Sequence, residues 1–404
     1  MKIIELKKED VSCAADIQQA IDTLRDDGGI IQLPEMSLTL DRGLELYSDI
    51  CLYGAGDKTI LRKGPSRIYP LSGYHNYAMA DVPLLDTNGL EVGMTVSIKD
   101  NLRGGFMTTF ARISWIDDNW VGLDRGIAMD YSADENPVLT TAYSMLFAHD
   151  SENISIKDIT LDGNLAENES SMDGCRGGAI YFASCKNVTV DNVHEADYNG
   201  EGLSFQLCQS VRILDSSFSK NSGNGLHPGA GSTDVLFENC EGYKNGASGF
   251  FFCVRANHIT IRDCSFEDND GPGISIGTRD CHNLIENCTI LNNGGPGIHA
   301  RFAPVPTEVH SCLTRSCQFR GNGHKTDGVQ ILCESDAHSL IFETCAIAGD
   351  IGIACRENAK DICTIDIEFD CTQDTEGEGF VEQRPEFESG HDACLEIHKR
   401  HLSL

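Results

Sequence analysis

The segment 223–232, GNGLHPGAGS, contains the residue types best suited to chemistry in this sequence. Its His227 can transfer a proton near neutral pH, and the adjacent proline and glycines fix the backbone and leave room for a ligand. At the same place the neighbouring segments carry apolar strands, GLSFQLC at 202–208 and GFFFCVR at 249–255. We therefore expect His227 to lie in a recess and to act as a catalytic base or beside one. The alternative is a tight turn with an exposed histidine.

Positive charge collects just after these strands. Arg255 and Arg279 occupy the same position in successive units, and Arg301 follows in GIHAR. Stacked arginines repel one another, so a carboxylate such as Asp280 or an anionic ligand must compensate them. We expect Arg279 to take part in catalysis, and Arg255 and Arg301 to bind substrate. The alternative is a ladder of arginines and acids on a solvated turn.

The overall charge restricts the partners. The 404 residues include 62 acidic and 31 basic ones, which gives a net charge of −31. This charge argues against a nucleic-acid partner and against an anionic membrane surface. No segment approaches the length of an apolar membrane span, and no apolar run follows the first basic residues. We expect a cytoplasmic protein, either a monomer or a homo-oligomer.

A repeat sets the architecture. A glycine recurs every 23 or 24 residues, with one longer unit of 31 residues. The glycines of this repeat are Gly178, Gly202, Gly225, Gly249, Gly273, Gly297, Gly328 and Gly352. Each unit contains short alternating strands and a polar corner, and the corner asparagines are Asn199, Asn221, Asn245, Asn269, Asn293 and Asn322. A repeat of about this length with two or three strands per unit predicts an all-β solenoid, a parallel β-helix.

Alternation within each strand predicts which side chains face outward. With Leu226, Phe250, Ile274 and Ile298 inside, the next residue of each unit points out. The first outward column is Tyr181, Ser204, His227, Phe251, Ser275, His299 and Gln330. The second column, two residues further on, is Ala183, Gln206, Gly229, Cys253, Gly277, Arg301 and Leu332. Neighbouring turns lie about 4.8 Å apart, so His227 and His299, three turns from each other, do not act on one atom.

The cysteines follow the same repeat. Of the 18 cysteines, five occupy the same position of successive units, after Asn, Asp, Ser or Thr: Cys240, Cys264, Cys288, Cys317 and Cys345. A thiol at a fixed position of a repeat behaves as a small buried apolar side chain. No CxxC pair occurs, so disulfide and metal interpretations are weaker, and we expect no metal site.

The ends and one insertion complete the predicted organisation. The segment 1–65 contains an amphipathic helix at 13–29, which would cap the open end of the solenoid, and the first turns. The segment 66–145 loses the period and reads as a β-rich insertion beside the helix. The main β-helix is expected at 146–370. The segment 371–404 is expected to be a C-terminal cap or tail.

Several motifs resemble the pectate lyase-like superfamily of right-handed parallel β-helix proteins, over residues 10–65 and 145–360. NGEGLSF at 199–205 resembles the Asn-Thr-Asp-Gly strand of polygalacturonases, with Glu201 at the acidic position. GPGISIGT at 271–278 resembles their second motif, with Pro272 in place of its histidine. The segment that begins NGLHPGAGS resembles the Gly-Phe-Asp-Pro-His-Glu turn of alginate C5-epimerases, with His227 at the aspartate position. The resemblance implies a right-handed β-helix that acts on carbohydrate.

The predicted function is lyase or C5-epimerase chemistry on a uronate-containing saccharide. His227, Glu201 and Arg279 are the expected catalytic residues. The residues expected to bind the substrate are Arg255, Phe251, Ser204, Gln206, Ser275, His299, Arg301 and Asp280. Such an enzyme must neutralise a carboxylate, remove the C5 proton and return a proton to the sugar.

Two alternatives remain open at this stage. A glycoside hydrolase would pair Glu201 with a second carboxylate from Asp197, Asp173 or Asp280. A non-catalytic β-helix would only bind sugar or assemble with a partner. We expect no cofactor; the segment DNDGPG at 268–273 offers oxygen ligands for Ca²⁺, but an ordinary asparagine and glycine corner explains it better.

Overall fold

Three ladders of parallel strands form the main body of the protein. The computed structural model describes residues 2–102, 107–168, 172, 174–302, 309–387 and 399–401. Within them, successive turns of the chain pair in parallel, as the repeat predicts. The chain is therefore a parallel β-helix.

The strands of each ladder are short because the chain turns at every corner. The first ladder contains Leu44–Glu45, Leu146–His149, Gly178–Ala183, Glu201–Gln206, Leu226–Pro228, Phe250–Phe251, Ile274–Ile276, Ile298–Ala300 and Val329–Cys333. The second contains Lys2–Glu5, Gly29–Gln32, Gln209–Leu214, Thr233–Glu238, Asn257–Arg262, Leu284–Glu286, His310–Arg315, His338–Glu343, Lys360–Ile365 and Phe380–Val381. The third contains Met36–Leu40, Ser217–Ser219, Glu241–Tyr243, Ser265–Glu267, Thr289–Leu291 and Gln318–Arg320. Longer strands pass a corner and join two ladders: Ile50–Lys63, Glu152–Asp162, Lys186–Ala196, Ala346–Cys355 and Glu368–Glu376.

Stacked apolar side chains fill the inside of the helix. The residues predicted to face inward, Leu226, Phe250, Ile274 and Ile298, are at most 3% exposed. The five cysteines of the repeat are free and buried, which confirms that they pack as small apolar side chains. Both columns follow from the register, because equivalent residues of successive turns lie directly above one another.

The corner asparagines form a buried hydrogen-bonded ladder. Asn245 Nδ2 donates to Asn269 Oδ1 at 2.9 Å, and Asn269 Nδ2 donates to Asn293 Oδ1 at 2.9 Å. The same Nδ2 atoms also donate to backbone carbonyl groups of the preceding turn. The ladder therefore satisfies buried polar groups at a corner where the backbone cannot do so alone.

An amphipathic helix covers the N-terminal end. It spans Ala14–Thr23, which is shorter than the predicted 13–29, and buries Ala14, Ile17 and Ile21 in the main core. The helix ends before Gly28, whose φ of +68° is unfavourable for other residues and where an added Cβ would lie 2.6 Å from Asp49 Cβ. In the described part of the chain, no helix has both the length and the apolar character needed to cross a membrane.

A separate antiparallel sheet lies within the segment 66–145. Its six strands are Ile68–Pro70, Asp81–Pro83, Thr95–Lys99, Thr109–Asp117, Trp120–Leu123 and Val138–Thr140. It has its own apolar core, which includes Val82, Ile98 and Val121. The sheet returns the chain to the first ladder at Leu146, so one edge of the insertion lies against that ladder.

Short 3₁₀ helices complete the structure. They span Lys8–Asp10, Ala133–Glu135, Leu165–Glu167 and Gly174–Arg176. Residues 399–401 return to the second ladder, where Arg262 Nη2 donates to the His401 carbonyl at 2.9 Å. Most of the C-terminal segment expected to form a last strand or cap lies outside the described residues.

The predicted register is wrong in the unit after the longer repeat. His299 pairs with Leu332, whereas the glycine spacing aligned it with Gln330. Gln330 is 1% exposed, and its Oε1 accepts a hydrogen bond from Asn322 Nδ2 at 2.9 Å. Gln330 therefore ends the asparagine ladder and does not belong to the outward column.

Candidate active site

The outward side chains of the first ladder form a continuous stripe. Tyr181 pairs with Ser204, and Ser204 pairs with His227. Further along, Ser275 lies between its ladder neighbours Phe251 and His299. This register confirms the predicted column from Tyr181 to His299, and it places His227 and His299 three turns apart.

His227 forms a buried pair with Glu201. Its Nδ1 lies 3.4 Å from Glu201 Oε2, and both side chains are 6% exposed. Glu201 Oε2 also accepts a hydrogen bond from the backbone N–H of Asn224 at 2.8 Å. Burial alone would lower the pKa of His227, but the nearby Glu201 carboxylate and Cys253 sulfur raise that pKa to about 9. A histidine that keeps its proton at neutral pH is suited to donating a proton, so this geometry does not favour the expected role of base.

Two cysteines that the sequence analysis did not assign complete this group. Cys175 comes from the short helix Gly174–Arg176, and Cys253 follows the strand Phe250–Phe251. The hydrogen bond with Cys175 and the adjacent His227 lower the pKa of the Cys253 thiol, in spite of burial. A signal for them existed in the sequence, because neither cysteine occupies the repeated position that the structural cysteines share, and Cys253 falls in the second outward column.

Arg301 is the arginine that the fold brings into the stripe. Its guanidinium lies over the Phe251 ring, 4.1 Å from the centroid, and donates to Ser275 Oγ at 3.1 Å. Phe251 also meets His227 edge to face, with 4.8 Å between the ring centroids. Asp280 is fully buried nearby and accepts hydrogen bonds from the backbone N–H groups of Ala256 and Gly277. Burial raises the pKa of Asp280 to about 8, although those N–H groups and Arg301 favour its charged form.

Other predicted residues lie apart from His227. Arg255 and Arg279 do stack in successive turns, but both are exposed and have positive φ angles at a corner. The side chain of His299 contacts a carboxylate instead, with 2.8 Å between its Nε2 and Glu334 Oε2. The structure therefore gives Arg279 and Arg255 no contact with the His227 group, and their catalytic and binding roles stay predictions.

Gln206 and Ser204 lie on the other side of His227. Gln206 Nε2 donates to the Cys175 sulfur. Ser204 is fully buried, and its Oγ has no hydrogen-bond partner among the described residues. Ser204 therefore lies on the stripe with a hydroxyl that has no hydrogen-bond partner among the described residues. Gln206 lies between the His227 group and the cavity described next.

A cavity of about 380 Å³ lies where the insertion meets the first ladder. Its charged lining side chains are Glu45, Arg112, Asp124, Arg125 and Arg176, and the His149 imidazole lines it too. Aromatic side chains of Phe110, Tyr143, Phe147 and Tyr181 line it as well, and Gln206 is at its edge towards His227. A concave site with many apolar and a few charged groups is typical of a small-ligand pocket.

The charged groups of the cavity are partly paired. Arg112 forms an ion pair with Glu45, and Arg125 lies 3.3 Å from Asp124. Arg176 lies over the Phe110 ring at 5.0 Å and donates to the Thr108 carbonyl oxygen. Arg112, Arg125 and Arg176 thus lie at one cavity, and each of them already contacts another group of the protein.

His149 and Tyr181 are the cavity residues best suited to proton transfer. Their ring centroids lie 5.7 Å apart. Burial and the charge of Arg125 lower the pKa of His149, so it is neutral at neutral pH. Burial raises the pKa of Tyr181, which therefore keeps its hydroxyl proton. Sequence reasoning missed His149 because it lies one turn before the repeat becomes recognisable.

The candidate second carboxylates do not form an open pair with Glu201. Asp280 has no exposed surface, and Asp197 occupies a corner with a φ of +61°. Asp173 lies outside the described residues. Glu201 itself is held between His227 and a backbone N–H, so hydrolysis through Glu201 has little support from this geometry.

Two groups of side chains have the composition of a metal site within the described residues. They are Cys175, His227 and Cys253 on the stripe, and Cys281, His282 and His310 on the second ladder. The segment 268–273 considered for Ca²⁺ is engaged otherwise. Asp270 forms an ion pair with Lys325 at 2.6 Å, and Asn269 belongs to the buried ladder.

Comparison with solved structures shows where this fold occurs. The A-module of the mannuronan C-5 epimerase AlgE4 from Azotobacter vinelandii is similar, with a TM-score of 0.61 and 17% identity over 93% of this chain and 96% of the other. A polygalacturonase from Erwinia carotovora ssp. carotovora has a TM-score of 0.54 and 12% identity over 95% of both chains. The catalytic domain of a GH87 α-1,3-glucanase has a TM-score of 0.53 and 12% identity over 95% of this chain and 68% of the other. At these identities the likeness concerns the fold.

Sequence comparison gives the family. No curated protein matches the chain. The family described as "Right handed beta helix region" matches residues 125–281 and 230–362, which together cover more than half of the sequence. The chain thus belongs to the family of proteins with a right-handed β-helix region.

Proposed function

We propose that the protein is an enzyme that acts on an anionic, uronate-containing saccharide by lyase or C5-epimerase chemistry. The observation that carries this proposal is the cavity beside the first ladder, where the guanidinium groups of Arg112, Arg125 and Arg176 lie with a neutral His149. The solved structures of similar fold include a mannuronan C-5 epimerase and a polygalacturonase, which supports a carbohydrate as the ligand.

The cavity residues divide the chemistry among them. The arginines bind the sugar carboxylate and so favour the negative charge that develops when the C5 proton leaves. His149 accepts that proton, because its lowered pKa keeps the imidazole neutral. In a lyase the C5 electron pair forms the C4–C5 double bond, the bond from C4 to the bridging oxygen breaks, and Tyr181 donates a proton to that oxygen. In an epimerase a proton returns to the opposite face of C5 instead.

The His227 group extends this site along the stripe. Gln206 belongs to the cavity wall and contacts Cys175, so His227 lies one side chain beyond the cavity. Phe251 and Arg301 continue the same surface, with a cation stacked on an aromatic ring. A saccharide longer than one unit would follow this stripe away from the cavity.

The proposal is tested by ultraviolet absorbance of the unsaturated product, with a panel of oligogalacturonate, oligomannuronate and oligoguluronate. Deuterium exchange at C5 in D₂O is followed on the same samples, because epimerisation leaves no double bond. We expect one of the two signals with the native protein and its loss in His149→Gln. The signal should be retained in His194→Gln, which alters an exposed histidine that does not line the cavity. The absence of both signals with all of these uronates would refute the proposal. Loss of the signal in His227→Ala, together with its retention in His149→Gln, would show that the base is in the segment 223–232 and not in the cavity.

Hydrolysis is the second candidate, because Glu45 and Asp124 both line the cavity. Two carboxylates facing one sugar are the requirement for a glycosidase. In this hydrolase, Glu45 and Asp124 would take the roles that the sequence analysis gave to Glu201 and a second carboxylate. New reducing ends that disappear in Glu45→Gln but not in Glu201→Gln would support it, and binding without any turnover would indicate a sugar-binding module.

A further inference from the structure

Two thiols and one imidazole meet beneath the stripe from three separate segments. Cys175 lies in the short helix Gly174–Arg176, His227 in the strand Leu226–Pro228, and Cys253 just after Phe250–Phe251. One ligand atom of each lies within 4.8 Å of the other two. Segments 78 residues apart in sequence therefore present three of the groups that bind thiophilic metals.

The imidazole of His227 has unused hydrogen-bonding atoms. The residue is 4% exposed, yet neither ring nitrogen makes a hydrogen bond to the described residues, and the nearest Glu201 oxygen is 3.4 Å from Nδ1. A buried polar atom without a partner is costly, so a native protein normally supplies one. An ion bound between the ring and the two sulfurs would supply it.

We propose that Cys175, His227 and Cys253 bind one zinc ion through two thiolates and one imidazole nitrogen. Zinc accepts this ligand set, and bond lengths of about 2.3 Å to sulfur and about 2.0 Å to nitrogen place ligand atoms roughly 3.5–3.8 Å from each other. The present separations, at most 4.8 Å, need only a small closure of side chains to reach that geometry.

Glu201 and Gln206 support the ligands. With Nδ1 directed at Glu201, the other nitrogen, Nε2, is left for the ion, and the carboxylate then accepts the Nδ1 proton. A carboxylate behind a zinc-binding histidine fixes the ring and makes the nitrogen a better ligand. The Gln206 amide donates to the Cys175 sulfur in the same way. Zinc, two thiolates and a neutral imidazole carry no net charge, which suits a buried position.

Three protein ligands leave the fourth position of a tetrahedral zinc ion free. Gln206, which contacts Cys175, also belongs to the wall of the cavity. The zinc site does not depend on the proposed function, since its evidence is the ligand set alone. It revises the expectation from the sequence that the chain has no metal site.

The test measures metal in the full-length protein and needs no substrate. Zinc content is determined by elemental analysis after expression with added zinc, and affinity is determined by competition with a chromophoric chelator. Every protein carries the background change Cys281→Ser, because Cys281, His282 and His310 form the other group with metal-binding residues. We expect about one zinc per chain. The affinity for zinc should fall at least tenfold in each of the variants Cys175→Ser, Cys253→Ser and His227→Gln. It should not change in the control Cys51→Ser, which alters a half-buried cysteine elsewhere.

Cobalt replacement reports the ligands directly. Cobalt bound by two thiolates gives a sulfur-to-metal charge-transfer band in the near ultraviolet, which each of the two serine variants should weaken. Circular dichroism of the variants verifies that they fold. No zinc, equal zinc in folded variants and the control, or a disulfide between Cys175 and Cys253 under reducing conditions would each overturn the proposal. Copper bound at the same residues in preference to zinc would overturn the choice of ion.

Discussion

The guanidinium of Arg301 lies over the ring of Phe251, with 4.1 Å between Cζ and the ring centroid. The same guanidinium donates to Ser275 Oγ at 3.1 Å and to the Phe252 carbonyl oxygen at 2.7 Å. These contacts fix one cation on the stripe beside His227. The stacked pair Arg255 and Arg279, which the repeat makes conspicuous, is exposed at a corner instead. Position within the repeat and burial thus separate arginines that look equivalent in sequence.

Replacement of Arg301 by lysine should destabilise the protein by about 1–3 kcal/mol. Lysine keeps the charge but cannot stack a planar group on Phe251 while also reaching two acceptors. The matched control Arg279→Lys alters an exposed arginine and should change the free energy of unfolding by less than about 0.5 kcal/mol. Urea denaturation of both variants measures the difference. Equal values for the two variants would mean that the Arg301 contacts contribute no net stability.

The fold was largely predictable because its signal repeats. Each unit places Gly, Asn and Cys at the same positions, and neighbouring turns must align equivalent residues to bury them. The one register error, at Gln330, has a physical cause. The segment between Asn322 and Gln330 contains an extra loop, and Gln330 supplies the amide that ends the asparagine ladder. A glutamine can replace an asparagine there because its longer side chain reaches back across that loop.

The site was predictable only in part, because its residues do not repeat. The alternation of the strands predicted that His227, Phe251 and Ser275 lie in one column. The resemblance of residues 199–205 to a polygalacturonase motif singled out Glu201, whose carboxylate lies beside His227. Cys175 precedes the regular strands, so no periodicity connects it with Cys253. The cavity is formed between the insertion and the first ladder, and the sequence of the insertion does not state which side of the helix it covers.

The asparagine ladder should be a major source of stability at its corner. Asn269→Ala removes an amide that donates to the Gly242 carbonyl and to Asn293, and that accepts from the Asn245 backbone. Because these partners stay buried and lose their hydrogen bonds, we expect a loss of roughly 2–4 kcal/mol. The free energy of unfolding is measured by urea denaturation. Asn88→Ala, on an exposed turn of the insertion, is the control and should cost less than about 0.5 kcal/mol; a similar small loss for Asn269→Ala would contradict the structural role of the ladder.

Lys63 should make stability depend on pH above neutrality. Burial lowers the pKa of this lysine to about 7, and its Nζ lies 4.7 Å from the Tyr143 ring centroid. The unfolded chain holds the proton up to a higher pH than the folded one. Below pH 7 the folded protein therefore carries the whole free-energy cost of burying Lys63. This cost falls as the pH rises from about 7 towards the ordinary lysine pKa of about 10.4, so the free energy of unfolding of the native protein rises over that range.

The variant Lys63→Met removes this titration. Relative to the native protein, its free energy of unfolding should decline by about 3–4 kcal/mol between pH 7 and pH 10, at about 1.4 kcal/mol per pKa unit. The lost hydrogen bonds to Ser66 and Asn168 shift the free energy of unfolding of the variant by an amount that does not depend on pH. Lys58→Met, at an exposed surface ion pair with Glu35, is the control and should show no comparable decline. Parallel pH curves for Lys63→Met and the native protein would show that Lys63 is charged in the folded state.

If His149 is the catalytic base, the acidic side of the pH–activity profile reports its pKa. The rate constant kcat/KM for the uronate substrate should fall only below pH 6.5, because burial and Arg125 lower the pKa of His149 and the neutral imidazole is the active form. Arg125→Gln removes a cation that contributes to this shift, so the acidic limb should move to higher pH. Arg320→Gln removes an exposed cation outside the cavity and should leave the limb in place. A limb that stays fixed in Arg125→Gln, or that moves equally in both variants, would assign the titrating base to another residue.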